Sequence, residues 1–263
     1  MRGWNGDSSA SRNGPGSGIL CDAWGMDGRA AVAAAVSDNA QWCHLVCATH
    51  AITGRFDADA WVSPRRTPPM YPDAVTLSAD VAAEELLARI DRGAGCSVKD
   101  SFATLDLTAA GFEVLFHAAW ILRSPEPPSG PTVLEWERVD RPDELVAWSL
   151  DHGAGSIISP ALLEQPSVAI LSGRDRNGRR MAGAIATEGD AAVGISNVFA
   201  VGADDDDPGA AFANAFVDAT AAIVERFPGR PIVGYLSDTR LAAATAAGFA
   251  TIGPLRVWLR EGP

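Results

Sequence analysis

The chain has 263 residues, 47% of them hydrophobic and 21% charged, with a formal net charge of −12. This is the composition of one large or two small globular domains. No stretch approaches the roughly 20 apolar residues of a membrane span, and the clustered Lys and Arg that a phosphate backbone requires are absent, so membrane and nucleic acid are poor partners.

In chain order, residues 1–20 are rich in Gly, Ser, Asn and Pro and lack the basic start and apolar block of a secretory signal. They read as a disordered tail, and the location expected is cytoplasmic. Four cysteines, Cys21, Cys43, Cys47 and Cys96, fit reduced thiols better than a disulfide framework. Cys43, Cys47 and His50 fall at i, i+4 and i+7, on one helical face, but the short Cys spacing of zinc sites is missing and no fourth ligand is evident. The expected metal content is none.

Ala74–Leu77 reads as a strand, Val81–Arg92 as a helix and Gly95–Phe102 as another strand. Four prolines in Arg123–Pro131 interrupt the apolar pattern and favour an extended linker. The domains expected are therefore 21–124 and 132–263, joined by a linker at 125–131. In the second, Thr132–Val139 reads as a strand, Pro142–His152 and Pro160–Gln165 as helices, and Ser167–Ser172 with Met181–Thr187 as a hairpin about the Asn177-Gly178 turn. Ala192–Val201 continues the meander. Ala210–Phe227 reads as a helix stopped by Pro228 and Pro231, and Ile232–Leu236 as a buried strand. Thr239–Ala247 is a helix closed by Gly248-Phe249, and a strand pair ends at Leu259.

This order, with Ala247-Gly248-Phe249 after a strand and helix, resembles the GNAT N-acyltransferase superfamily over Thr132–Arg260. The front half carries an echo of it. Ala109-Ala-Gly-Phe112 recurs as Ala246-Ala-Gly-Phe249, with Gly111 and Gly248 each eleven residues before the Leu of a Leu-Arg pair. The fold expected is mixed α/β, two GNAT-like sheets flanked by helices and related by a pseudo-twofold, the first copy abbreviated.

The resemblance implies transfer of an acetyl or other acyl group from acyl-CoA, with acetyl-CoA as co-substrate, to a small-molecule primary amine. Val198, Phe199, Ala200 and Val201 would lie on a splayed strand whose backbone pairs with the pantetheine arm. Gly202, Pro208, Gly209, Ala210 and Ala211 would receive the pyrophosphate at a helix start. The sequence departs from the family there, since the usual Arg or Gln with Gly-x-Gly or Gly-x-Ala is missing and Asp204–Asp207 stands before the helix. The family's Tyr acid is also replaced, by Ala244 and, in the front half, Leu107. Tyr235 is the substitute expected. For the base, Glu188 and Asp190 are the candidates, with His152 a third; His152, Ser196 and Asn197 would bind the acceptor. The acidic balance suggests a cationic acceptor such as a polyamine or an amine-bearing antibiotic. A non-catalytic GNAT-like binding or regulatory module is the alternative, and a monomer or homodimer is expected.

Overall fold

The computed structural model describes residues 27–127, 132–202 and 208–262. The tail at 1–20, much of the linker and Asp204–Asp207 lie outside them. The strands are β1 (Arg55–Phe56), β2 (Ala60–Val62), β3 (Ala74–Thr76), β4 (Ser97–Asp100), β5 (Glu113–Arg123), β6 (Glu135–Arg138), β7 (Val168–Arg174), β8 (Arg180–Glu188), β9 (Val193–Ala200), β10 (Ile232–Ser237) and β11 (Ala250–Leu259). The helices are α1 (Gly28–Thr49), α2 (Ala83–Leu87), α3 (Pro142–His152), α4 (Pro208–Arg226) and α5 (Leu241–Ala246).

All the strands join one sheet in the order β1-β2-β3-β4-β11-β5-β10-β9-β8-β7-β6. The fold is mixed α/β, a large sheet flanked by helices. On one face, α1 buries Ala31, Ala35 and Val36 against Trp120, Val233 and Leu255, and farther along it meets α3 through Trp42, Val46, Leu145 and Trp148. The other face carries α4 and α5, where Phe212, Phe216 and Ile223 pack with Ile195, Ile232 and Phe249. It also carries α2, whose Leu86 and Leu87 pack with Val98, Phe112 and Trp258.

The middle of the sheet is reciprocal. β5, from the front half, lies between β10 and β11, while β11 lies between β5 and β4. In the antiparallel β5–β11 pair, Ala250 faces Leu122 at one end, Leu259 faces Glu113 at the other, and Leu255 faces Ala118 in the middle. Gly111 and Gly248 are both left-handed, with φ of +79° and +81°. A Cβ on Gly111 would stand 3.7 Å from Arg260 Nε, and one on Gly248 would stand 3.6 Å from Arg123 Nε. Each half thus sets its arginine against the other half's turn.

Several expected elements are shorter than the pattern indicated. Thr132–Val139 yields only β6, because the N–H groups of Val133 and Leu134 donate to the Asp218 carboxylate, at 2.6 and 3.0 Å, instead of entering the ladder. Val81–Arg92 yields only the five-residue α2. Pro160–Glu164 is a 3₁₀ turn started by the Ser159 hydroxyl, and the expected final strand pair is the single strand β11.

Candidate functional site

The parallel pair β9–β10 is in register for two steps only, Ile232 with Val193 and Val233 with Gly194. Beyond them the strands part. Two local features of the sequence produce the opening. Gly234 follows the last paired residue, and a Cβ there would stand 2.8 Å from the Ile195 carbonyl oxygen, so the two backbones meet at an apex that only glycine fits. Across β9, the register with β8 slips by one residue between Ser196 and Phe199, and Asn197 takes φ +52°. That is a β-bulge, which bends its strand, and Asn is among the few residues that adopt the left-handed conformation.

A cleft of about 730 Å³ occupies the opening. Trp42 and Cys43 of α1 line it from one side of the sheet, and Phe212 and Phe216 of α4 line it from the other. It therefore passes through the sheet between β9 and β10. Such a passage lets two ligands enter from opposite faces and meet at the middle.

On the α1 side, the His152 ring stacks on Trp148 with centroids 5.3 Å apart and planes at 10°, and meets Phe199 edge-on at 5.3 Å. Burial among these rings pulls its pKa below the usual 6.5, so it is a neutral imidazole at pH 7. Its Nδ1 is buried and lacks a hydrogen-bond partner among the described residues. Tyr235, half-buried on β10 just past the apex, packs edge-on against Trp120 at 5.7 Å. Ser196 and Asn197 border the cleft, and the Asn197 amide donates to the Ser196 hydroxyl at 2.9 Å.

Lys99 is the only lysine in the sequence. It is 4% exposed, borders the cleft, donates to Asn39 Oδ1 at 2.8 Å, and stands 4.0 Å from the centroid of the Tyr235 ring. At the α4 side, the Arg240 guanidinium lies 4.2 Å from the Phe212 ring, and a Cβ on Gly202 would stand 3.6 Å from Arg179. Arg179 thus lies near Gly202, at the end of β9, and Arg240 beside Phe212 of α4, which starts at Pro208 with Gly209 and Ala210 exposed.

Three expectations change on this geometry. Glu188 and Asp190 border a separate surface hollow with Arg230, whose guanidinium is 3.6 Å from Glu188. Glu188 pairs with Val193, at the closed end of β9–β10, so the base candidate that borders the cleft is His152. The Val201 amide donates to the Met181 carbonyl at 2.8 Å and is not free for a ligand. Strand alternation turns Phe199 the same way and aims the amides of Val198 and Ala200 at the open edge. The acidic balance of the whole chain does not extend into the cleft, where Asp238 is the only carboxylate among the described lining residues, beside two cations, Lys99 and Arg240, in the same lining. Cys43, Cys47 and His50, which were not expected to hold a metal, do not converge: His50 Nε2 bonds the Ile157 carbonyl at 2.9 Å. Burial raises both thiols, Cys47 to about 12. No metal-binding group of three was found among the described residues, and no helix among them is long and apolar enough to cross a membrane.

No family model matches the sequence, and no curated protein matches it. Solved structures do. A GCN5-related N-acetyltransferase from Kribbella flavida superposes with a TM-score of 0.59 at 16% identity, covering 88% of this chain and 96% of its own. This is the GNAT fold. A conserved protein of unknown function from Staphylococcus epidermidis has a TM-score of 0.52 at 10% identity over 80% of this chain and 93% of its own. The first alignment is longer than either half, so the GNAT likeness includes strands of both.

Sequence reasoning missed Asn39, Lys99, Arg179 and Arg240. Lys99 had a signal, a lone lysine between the apolar Val98 and a following Asp100 in a short strand. The arginines had none, because only the fold brings Arg179 beside Gly202 and Arg240 beside Phe212.

Proposed function

We propose that the chain is an N-acyltransferase that moves an acyl group from acyl-CoA to a primary amine, at the opening between β9 and β10. The observation that carries this reading is the two-sided cleft at a splayed, bulged parallel pair on a GNAT fold. Acetyl-CoA would enter from the α4 side, its pantetheine arm pairing with the amides of Val198 and Ala200. Its pyrophosphate would meet the N-terminal turn at Gly209–Ala211, with Arg179 and Arg240 supplying the charge that the sequence was expected to lack.

The acceptor would enter from the α1 side, oriented by Ser196 and Asn197. His152 takes a proton from its ammonium, which leaves a free amine to attack the thioester carbon. The carbon–sulfur bond breaks as the amide bond forms, the departing thiolate receives a proton from Tyr235, and the resulting phenolate takes the second proton that the new amide nitrogen sheds. Neutral His152 suits this role because an imidazolium could not accept the proton. The two halves are read as diverged GNAT copies, β3-α2-β4-β5 with a short 3₁₀ turn at Thr108–Ala110 in the first answering β9-α4-β10-α5-β11 in the second, only the second keeping an open slot. In the first, the Thr76 hydroxyl accepts from the Ser101 amide at 2.8 Å across β3 and β4.

The test is a thermal-shift titration with acetyl-CoA, followed by thiol release against a panel of amines. A shift with amine-dependent release is the expected result. A shift without release from any amine would make the protein a binding module, and no shift would overturn the reading.

A further inference from the structure

The ammonium of Lys99 is a buried charge without an ion-pair partner among the described residues. Its neighbours are an amide oxygen, Asn39 Oδ1 at 2.8 Å, and the Tyr235 ring at 4.0 Å. Both solvate a cation and neither neutralises it. A buried charge is costly unless it is paired, and a long side chain held at 4% exposure also forgoes the rotamer freedom that surface lysines keep. The charge borders the cleft on the α1 side, where Asn39 and Trp42 close the wall.

We propose that Lys99 is the anchor for a carboxylate on the acceptor, so that the preferred amine is one that also carries an acid group. This rests on the acyltransferase reading and narrows it. Lys99 sits on β4, three strands from β10, and its side chain extends under α1 toward Tyr235 of that strand. An acceptor reaching from Lys99 to the β9–β10 opening would span the chamber with its carboxylate at one end and its amine at the other. Its carboxylate would complete the Lys99 charge, with Asn39 holding the ammonium in place. A polyamine would put a second cation beside the first.

The experiment uses the full chain and matched pairs of acceptors, the ω-amino acids from glycine to 6-aminohexanoate and their primary amides. In the wild type, kcat/KM should favour the acid over its amide by roughly tenfold or more at the best chain length, the scale of a charge-assisted hydrogen bond. In Lys99→Met, which keeps the stem but not the charge, that ratio should fall to near one, while Lys99→Arg should retain a preference for acids. An unchanged ratio in Lys99→Met, or a wild type that prefers amides, overturns the proposal.

A second readout does not depend on turnover. Because Lys99 is the only lysine, reductive methylation with formaldehyde followed by mass spectrometry reports on one side chain apart from the N-terminus. The 6-aminohexanoate acid should protect Lys99 and its amide should not. If no amine is acylated yet the acid protects Lys99, the acyltransferase reading fails and the anchor stands. If acylation proceeds without protection or acid preference, the anchor fails and the acyltransferase reading stands. Acetylation of Lys99 itself by acetyl-CoA would also overturn the proposal, since the charge would then be consumed.

Discussion

Ala118 and Leu255 face each other at the middle of the β5–β11 pair, and they are 137 residues apart, the interval that also separates Gly111 from Gly248 and Arg123 from Arg260. A residue placed opposite its own counterpart lies on a twofold axis. If the halves are the diverged copies proposed above, their axis runs through this pair; the seam between them is a strand ladder with irregularities between Thr251 and Gly253 and between Val257 and Trp258. Leu255 is 1% exposed and packs among Trp120, Val233 and Ala35.

Leu255→Ala should lower stability by roughly 2–4 kcal/mol, the range for removing a buried leucine where the surroundings collapse only in part. Urea unfolding followed by both fluorescence and circular dichroism should give one transition, because the lost side chain belongs to the seam. Two separated transitions would mean that the halves are independent folding units.

Gly234→Ala tests the apex of the cleft. The added methyl would meet the Ile195 carbonyl oxygen at 2.8 Å and Ile195 Cγ2 at 3.0 Å, so β9 must move. A cost of about 1–3 kcal/mol is expected from such overpacking, together with at least a tenfold loss of acetyl-CoA affinity measured by calorimetry. Unchanged affinity in a folded variant would place the co-substrate elsewhere.

His152 sets the expected pH dependence of the reaction. Burial lowers its pKa below 6.5, so the base form persists through neutral pH and is lost as pH falls through that depressed value. The rate should therefore decline on the acid side below pH 6.5. His152→Gln should reduce kcat/KM by roughly 10²–10⁴-fold and abolish that limb. If Glu188→Gln produced the loss instead, the base would lie at the closed end of β9–β10.

Asp38 offers a prediction for stability. It sits beneath the β8–β9 turn, its carboxyl raised to about 7 by burial and partly relieved by the Thr187 hydroxyl at 2.7 Å. An unfolded aspartate titrates near 3.9, so between about pH 4 and 7 the folded chain holds a proton that the unfolded chain has lost. The stability from this group is complete below about pH 4 and is lost as pH rises toward 7, by up to about 1.4 kcal/mol per unit and about 4 kcal/mol in all. Asp38→Asn keeps an acceptor for Thr187 and removes the titration. The difference in urea stability between the two proteins should therefore shift in favour of the variant as pH rises from 4.5 to 7.5, and a constant difference would refute it.

The second half was readable because its punctuation is local. The Asn177-Gly178 turn, the prolines after α4 and the left-handed Gly248 each fix a boundary within a few residues. The matching pair of left-handed turns was readable for the same reason, as two glycines at a fixed distance from two arginines. The strand exchange was not, since nothing local states that β5 pairs with β10 rather than with its own half. Glu188 and Asp190 looked well placed because they enter β9, but a strand has two ends. The parallel pairing at Val193 and Gly194 decides which end is closed, and that pairing involves a strand almost 40 residues later. Lys99 illustrates the same limit, because its partner Asn39 lies in α1 and its ring partner Tyr235 in β10.

The exchange of β5 and β11 also bears on how the chain is made. β5 is an eleven-residue strand with the run Ala118-Ala-Trp-Ile-Leu-Arg123 buried in the finished sheet, and both of its neighbours come from the last third of the sequence. During synthesis it must wait, both edges open, until residue 237 supplies one partner and residue 259 the other. A strand with unpaired edges and apolar faces invites pairing with another chain. A nascent chain that has emerged as far as β9 would thus display an adhesive ribbon, and the cell has reason to shield this protein until β11 emerges.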